Sequence, residues 1–249
     1  VGTELRVART LAAPLVPGIK VYARITAVNT ANLTSVTDTD GWTPDASPPR
    51  FTTMPTDGST PGVDIDFYGR PGSLAACWEA TDDETHVTSY FVAVANATDS
   101  SLTPLSGWSP VARTESASSG LAQGPSLFVS GMTCAWAGGV ITSQGGKYKV
   151  VVKAINALGY STIAATDGVK VDWTPPAIGA VFAGSDAGNF VDTPSQTLRT
   201  ALTVSFVGIR EDESSLTAVV VGVGSFPGGD DVLPRAIPAG LEFTANGIN

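Results

Sequence analysis

The stretch KVYARITAVNTANLTSVTDTDGWTPDASPP, residues 20–49, returns without a gap as KYKVVVKAINALGYSTIAATDGVKVDWTPP, residues 147–176. Asn29 falls on Asn156, Asp40-Gly41 on Asp167-Gly168, Asp45 on Asp172 and Pro48-Pro49 on Pro175-Pro176, each at an offset of 127. Identities kept in register at turn and linker positions mark an internal repeat rather than chance.

Within the first copy Val21, Ala23, Ile25 and Ala27 alternate with Tyr22, Arg24, Thr26 and Val28. The second copy alternates Tyr148, Val150, Val152 and Ala154 with Lys149, Val151, Lys153 and Ile155. A period of two predicts a strand with one buried face in each copy. Each strand runs into Asn and a short small-residue turn, Thr30-Ala-Asn or Ala157-Leu-Gly, before a second strand of Thr, Ser and Val. That is a hairpin pattern, since Asn and Gly tolerate the left-handed backbone of tight turns.

A second block repeats at a slightly larger offset: Asp83-Glu84-Thr85-His86-Val87 corresponds to Asp212-Glu213-Ser214-Ser215-Leu216, and Trp78 to Phe206. Strands are predicted on either side, over Ser73–Ala80 with Leu74, Ala76 and Trp78 on one face, and over the apolar run Ser89–Ala95. Leu74, Ala76, Trp78, Val150, Val152 and Ala154 are expected to share one core between two sheets.

The fold class is therefore all-β, a tandem of β-sandwich repeats with a period of about 127 residues. With the proline pairs Pro48-Pro49 and Pro175-Pro176 taken as linkers, residues 1–46 are the C-terminal half of a repeat. Residues 47–173 are a complete one, and residues 174–249 are the N-terminal half of the next. On this reading the chain starts and stops in mid-repeat, and the parent's N-terminus lies upstream of Val1. Proline fixes φ and biases its predecessor to extended conformations, so the junctions are expected to be stiff and the whole a rod.

Composition agrees with this. Apolar residues make up 43% of the chain and charged ones only 15%, enough apolar material for a packed core. Glycine (27) and proline (17) are abundant, as many short strands joined by turns require. A net charge of -9 opposes phosphate backbones and anionic lipid, so nucleic acid and membrane surfaces are not expected partners. The longest apolar run, Ala218–Val223, is a strand's length, far short of the ~20 residues of a membrane-spanning helix.

The strand of Tyr-X-Val-X-Val-X-Ala-X-Asn type, the small-residue turn, the Ser/Thr-rich strand, the Asp-X-Thr-Pro-Pro linker and then Trp with Asp-Glu-Ser/Thr carry a resemblance. It covers the whole chain at the level of repeats. The pattern resembles the fibronectin type III-like or immunoglobulin-like repeats of very large surface proteins of algae and other eukaryotic microbes. The Ala, Gly and Ser/Thr-Pro bias is similar to that of algal flagellar-hair (mastigoneme) proteins. The resemblance implies an extracellular, cell-surface or flagellar-surface location and a structural role. The chain departs from it in its period, longer than the roughly 100 residues usual for such sandwiches, and in a Ser-, Gly- and Pro-rich segment 97–146, expected to hold an enlarged loop or extra hairpin.

Cys77 and Cys134 are either two thiols or one disulfide. Antibody-type sandwiches bridge their two sheets, but Cys77 adjoins Trp78 and is expected to point away from the core, so that a bond would pin the segment 97–146 to the outside of the sheet. Asn32-Leu-Thr and Asn96-Ala-Thr are N-glycosylation sequons, in keeping with a secretory-pathway protein. Seven Ser/Thr-Pro dipeptides are turn formers or sites for O-linked glycans.

Little else suggests chemistry. His86 is the only histidine, which excludes a His-based metal cluster; its repeat counterpart is Ser215, which points to a turn role. Gly-X-Ser-X-Gly, the phosphate-binding Walker loop and His-Glu-X-X-His are all absent. Gly222-Val-Gly224 is followed by Pro227-Gly-Gly where a phosphate-binding helix would begin, and reads as a strand end. The acid pairs Asp64 with Asp66, Asp82 with Glu84 and Asp38 with Asp40 suit Ca²⁺ or solvated turns; Asp40 recurs as Asp167, making these two the candidates for a junctional Ca²⁺, with no other cofactor expected. The expectation is a non-catalytic rod or filament component that associates with itself or with other filament or surface proteins. The alternative is an adhesin or receptor ectodomain whose segment 97–146 binds a protein or glycan.

Overall fold

The structure, a computed structural model, describes residues 6, 8–112, 127–129, 131–184, 189–195, 197, 199–237, 243–244 and 247–248. The described chain is all-β. Its strands are β1 (Arg24–Val28), β2 (Thr34–Asp38), β3 (Arg50–Asp57), β4 (Phe67–Tyr68), β5 (Leu74–Thr81), β6 (Val87–Asn96), β7 (Ser109–Pro110), β8 (Leu127–Val129) and β9 (Met132–Ala137). They continue as β10 (Lys147–Asn156), β11 (Ser161–Ala165), β12 (Val169–Val171), β13 (Ala180–Ala183), β14 (Val204–Val207), β15 (Val221–Val223), β16 (Leu233–Ala236), β17 (Phe243–Thr244) and β18 (Gly247–Ile248).

The chain divides into two compact units, one of residues 1–65, 73–140 and 149–168, the other of residues 66–72, 141–148 and 169–249. In the first, β3-β5-β9-β8 form a four-stranded antiparallel sheet. A second sheet has β6 between β7 and β10, with β11 antiparallel on the far edge of β10. Tyr90 of β6 joins them: its ring meets Trp78 of β5 edge-on at 5.5 Å, and its hydroxyl donates to the Ala80 carbonyl at 3.3 Å. This arrangement of sheets is compatible with a β-sandwich. In the second unit the start of β10 pairs with β12, β12 runs parallel to β4, and β13-β14, β15-β16 and β17-β18 are separate antiparallel pairs.

The core is where the apolar runs converge. Leu74, Ala76, Trp78, Val150, Val152 and Ala154, the six residues expected to share it, are all buried, together with Val92 and Val94 of β6. Burying Trp78 and the valines removes them from water at roughly 25 cal/mol per Å².

The two recurring segments fold alike. In β1-β2, Arg24 faces Asp38 and Val28 faces Thr34; in β10-β11, Val151 faces Ala165 and Ile155 faces Ser161, so every pair in the first hairpin recurs 127 residues later. The turns share one mechanism. Asn29 Oδ1 accepts the N–H groups of Ala31 and Leu33 at 2.9 and 3.0 Å; Asn156 Oδ1 accepts those of Leu158 and Tyr160 at 3.1 and 2.9 Å. The third turn position has positive φ in both, Asn32 at 62° and Gly159 at 87°, which is why asparagine and glycine alternate there. Thr39 Oγ1 accepts from Ala23 N–H, and Thr166 Oγ1 from Val150 N–H, each at 3.0 Å.

Two expectations need correction. The alternation in β1 and β10 predicts one buried face each, yet β1 is exposed along its whole length while Val150, Val151 and Val152 are all buried. Ile25 is 64% exposed and its counterpart Val152 is 0%. Alternation records which face is suited to burial; burial itself requires a second layer, which only β10 has among the described residues. Secondly, Cys77 does not lie on an outer face: it is buried beside Trp78, because β5 is covered on both sides. Segment 97–146, expected to hold an enlarged loop or extra hairpin, contains β7, which extends one sheet, and the β8-β9 hairpin, which extends the other.

Candidate functional site at the proline linkers

The first of the two segments expected to be linkers, Asp45-Ala-Ser-Pro-Pro, lies within one compact unit and is held by two loops of that unit. From the β5-β6 loop come Asp82, Glu84 and Thr85; from the β10-β11 turn comes Asn156. Asn156 Nδ2 lies within hydrogen-bond reach of Asp45 Oδ2 (2.8 Å), the Ser47 carbonyl (3.1 Å) and Asp82 Oδ2 (3.2 Å). The Thr85 hydroxyl lies 2.8 Å from Asp45 Oδ2, and the Ser47 hydroxyl donates to Glu84 Oε2 at 2.8 Å. The linker is closed locally too, with Ser47 N–H on Asp45 Oδ1 at 3.1 Å. Pro49 is buried and Pro48 exposed.

Burial opposes ionisation of Asp82, but the Thr85 N–H, the Asn156 amide, the Thr85 hydroxyl and the Glu84 N–H more than offset it. Its carboxyl is held below the usual carboxylate range. Hydrogen bonds to a charged acceptor are the stronger kind, so the network ties the linker firmly to the sheets around it.

The second expected linker, Asp172-Trp-Thr-Pro-Pro, likewise lies within one unit and has a matching network there. Thr174 N–H donates to Asp172 Oδ1 at 3.2 Å, and the Thr174 hydroxyl to Glu213 Oε2 at 3.4 Å, in the places of Ser47 with Asp45 and Glu84. Glu213 N–H and Ser214 N–H donate to Glu211 Oε1 at 3.1 and 3.3 Å, as those of Glu84 and Thr85 do to Asp82 Oδ1 at 3.3 and 2.8 Å. The part of Asn156 is taken by Gln144, whose Nε2 donates to Asp172 Oδ1 at 3.0 Å and whose Oε1 accepts from Trp173 N–H at 2.9 Å. Asp172 too is disfavoured by burial yet held below its ordinary range, by the Gln144 amide, the Ser214 hydroxyl and Thr174. Pro175 and Pro176 are both exposed.

The carboxylates Asp45, Asp82 and Glu84 thus converge within 4.8 Å, and so do Asp172, Glu211 and Glu213. In both groups every carboxylate accepts at least one hydrogen bond from the chain's own amides or hydroxyls. Such a network can hold the chain at a proline pair in place.

The other residues singled out in the sequence are distributed more widely. Asn32 is exposed on its hairpin turn; Asn96 is exposed at the end of β6, its Oδ1 accepting the Thr98 N–H and hydroxyl at 3.0 and 2.8 Å. Cys77 and Cys134 form a disulfide between paired residues of the neighbouring strands β5 and β9. His86 is exposed just before β6. Asp40 is exposed and joins none of the acid groups among the described residues, whereas its counterpart Asp167 converges with Asp57 and Asp64. The parts played by Asn156, Gln144 and Asp57 were not read from the sequence. For Asn156 a signal existed, its identity with Asn29; Gln144 and Asp57 stand at positions that carry no repeat identity.

No protein-family model, curated protein or solved structure matches the chain. Its functional reading rests on its own geometry.

Proposed function

We propose that this chain is a non-catalytic structural protein of the extracellular or cell surface, a rod or filament component of mastigoneme-like kind, built from immunoglobulin- or fibronectin III-like repeats of about 127 residues. The observation that carries the reading is the linker lock. Asp45, Ser47, Asp82, Glu84 and Thr85 are tied together as Asp172, Thr174, Glu211, Glu213 and Ser214 are, at both proline pairs. A flexible tether has no need of such a network, and its residues would be free to drift between copies.

The sandwich class is supported by strand order. The sequences β3-β5-β9-β8 and β7-β6-β10-β11 correspond to A-B-E-D and C′-C-F-G of immunoglobulin-like domains. Tyr148 at the start of β10 accepts a hydrogen bond from Ser143 N–H at 3.0 Å, five residues upstream, in the manner of the tyrosine corner of that class. The chain differs in its disulfide, which joins B to E within one sheet, and in placing its core tryptophan on B rather than C.

In this reading Asn32 and Asn96 carry N-linked glycans, the Ser/Thr-Pro turns are open to O-linked ones, and the partners are further copies or other filament and surface proteins. The test is small-angle scattering on wild type and on Pro175→Gly/Pro176→Gly. Wild type is expected to give a narrow distribution of extended shapes that the variant broadens while both stay folded. A wild type as flexible as the variant would refute the strut and favour independent binding modules.

A further inference from the structure

The third group of acids differs from the two at the linkers. Asp57 closes β3, Asp64 lies in the loop that follows and Asp167 lies between β11 and β12, all within one compact unit. Their carboxylates converge within 4.8 Å. The loop is fastened back onto the strand, since Asp57 N–H donates to Asp64 Oδ1 at 2.8 Å and Ile65 N–H to the Asp57 carbonyl at 3.2 Å. Asp57 itself is only 1% exposed. Its Oδ2 accepts Gly168 N–H at 2.9 Å, but Oδ1 is fully buried without a hydrogen-bond partner. Asp64 and Asp167 are exposed, and none of the three belongs to an ion pair among the described residues.

A buried carboxylate oxygen with no donor is costly, and two further carboxylates beside it raise that cost. Among the described residues no linker carboxylate oxygen is fully buried without a partner; here, although Gly168 N–H and the Thr166 hydroxyl serve the Asp57 carboxyl, Oδ1 is. We propose that Asp57, Asp64 and Asp167 bind a calcium ion. Ca²⁺ takes 6–8 oxygens at about 2.3 to 2.6 Å, so two of its ligands can lie up to about 5 Å apart, a span that accommodates this group. The donors are hard and anionic, and the exposed side at Asp64 and Asp167 leaves room for water to complete the shell. Mg²⁺ dehydrates reluctantly, demands near-ideal octahedral geometry and suits such a half-open carboxylate cage less well.

The experiment is isothermal titration of the calcium-free chain with CaCl₂ and with MgCl₂, alongside thermal unfolding with and without CaCl₂. Wild type should bind Ca²⁺ at a saturable site with a Kd of about 10⁻⁴ to 10⁻³ M, the range of extracellular modules, prefer it to Mg²⁺, and unfold at a higher temperature in its presence. Asp64→Asn and Asp167→Asn, at exposed positions, should fold normally yet weaken calcium binding at least about tenfold and lose the thermal shift. Asp57→Asn should lose binding as well, while its calcium-free form unfolds at a higher temperature than calcium-free wild type. Absence of heat and of a thermal shift in wild type at about 10 mM CaCl₂ would overturn the proposal. So would Asp64→Asn and Asp167→Asn that keep wild-type affinity, above all if Glu84→Gln or Glu213→Gln abolished it instead.

Discussion

Asn156 Nδ2 donates a 2.8 Å hydrogen bond to Asp45 Oδ2 across 111 residues of sequence, joining the β10-β11 turn to the linker. Its counterpart Asn29 makes the same turn but lies exposed. Asn156→Ala leaves the low-exposure carboxylates of Asp45 and Asp82 short of a donor and should destabilise the protein by about 2 to 4 kcal/mol. Asn29→Ala should change the main unfolding transition by less than about 1 kcal/mol. Urea denaturation of the two variants measures the contrast, and equal costs would refute the role given to Asn156.

Trp78 is completely buried between β5 and β6, so Trp78→Ala should cost about 3 to 5 kcal/mol in chemical denaturation. Phe206, which corresponds to it in sequence but is half-buried, should cost less than half as much when changed to alanine. A cost for Trp78→Ala below about 1 kcal/mol would sink the core assignment.

The Cys77–Cys134 bond spans a sequence separation of 57 and ties β9 to β5. The double variant Cys77→Ala/Cys134→Ala should lose about 2 to 4 kcal/mol, chiefly through the freer unfolded chain. Thiol labelling of the unreduced, denatured wild type should find no reactive cysteine; two labels per chain would contradict the bond.

Stability should depend on pH with two opposite signs. Burial of Asp57, opposed by the Thr166 and Gly168 hydrogen bonds and assisted by Asp167 and Asp64, raises its carboxyl to about 7. The calcium-free folded state then holds a proton that the unfolded chain releases, so stability falls as pH rises from about 4 towards 7, and Asp57→Asn should flatten that fall. Asp82 and Asp172 are shifted down; their contribution is present above the unfolded value near about 4 and is lost as pH drops through their folded values. Urea midpoints at pH 4.5 and 7.5 in about 1 mM chelator, for wild type and Asp57→Asn, read the first effect; parallel pH dependence of the two would refute it.

What could be read in the sequence by itself was local and repeated. Period-two alternation located β1 and β10, the Asn29 and Asn156 turns set the partners within each hairpin, and Leu74, Ala76 and Trp78 marked the core face of β5. These features depend on hydrogen bonds and side-chain directions among near neighbours, which a short stretch of chain dictates. Only the tertiary structure decided the rest. Ile25 and Val152 occupy one register position and differ in burial because a second layer lies on one alone. Cys77 meets Cys134, Asp45 meets Asn156, and Asp57 meets Asp64 and Asp167 because of the order in which the strands enter their sheets. That order is set by the summed burial of all the strands, and the residue types at those positions do not carry it.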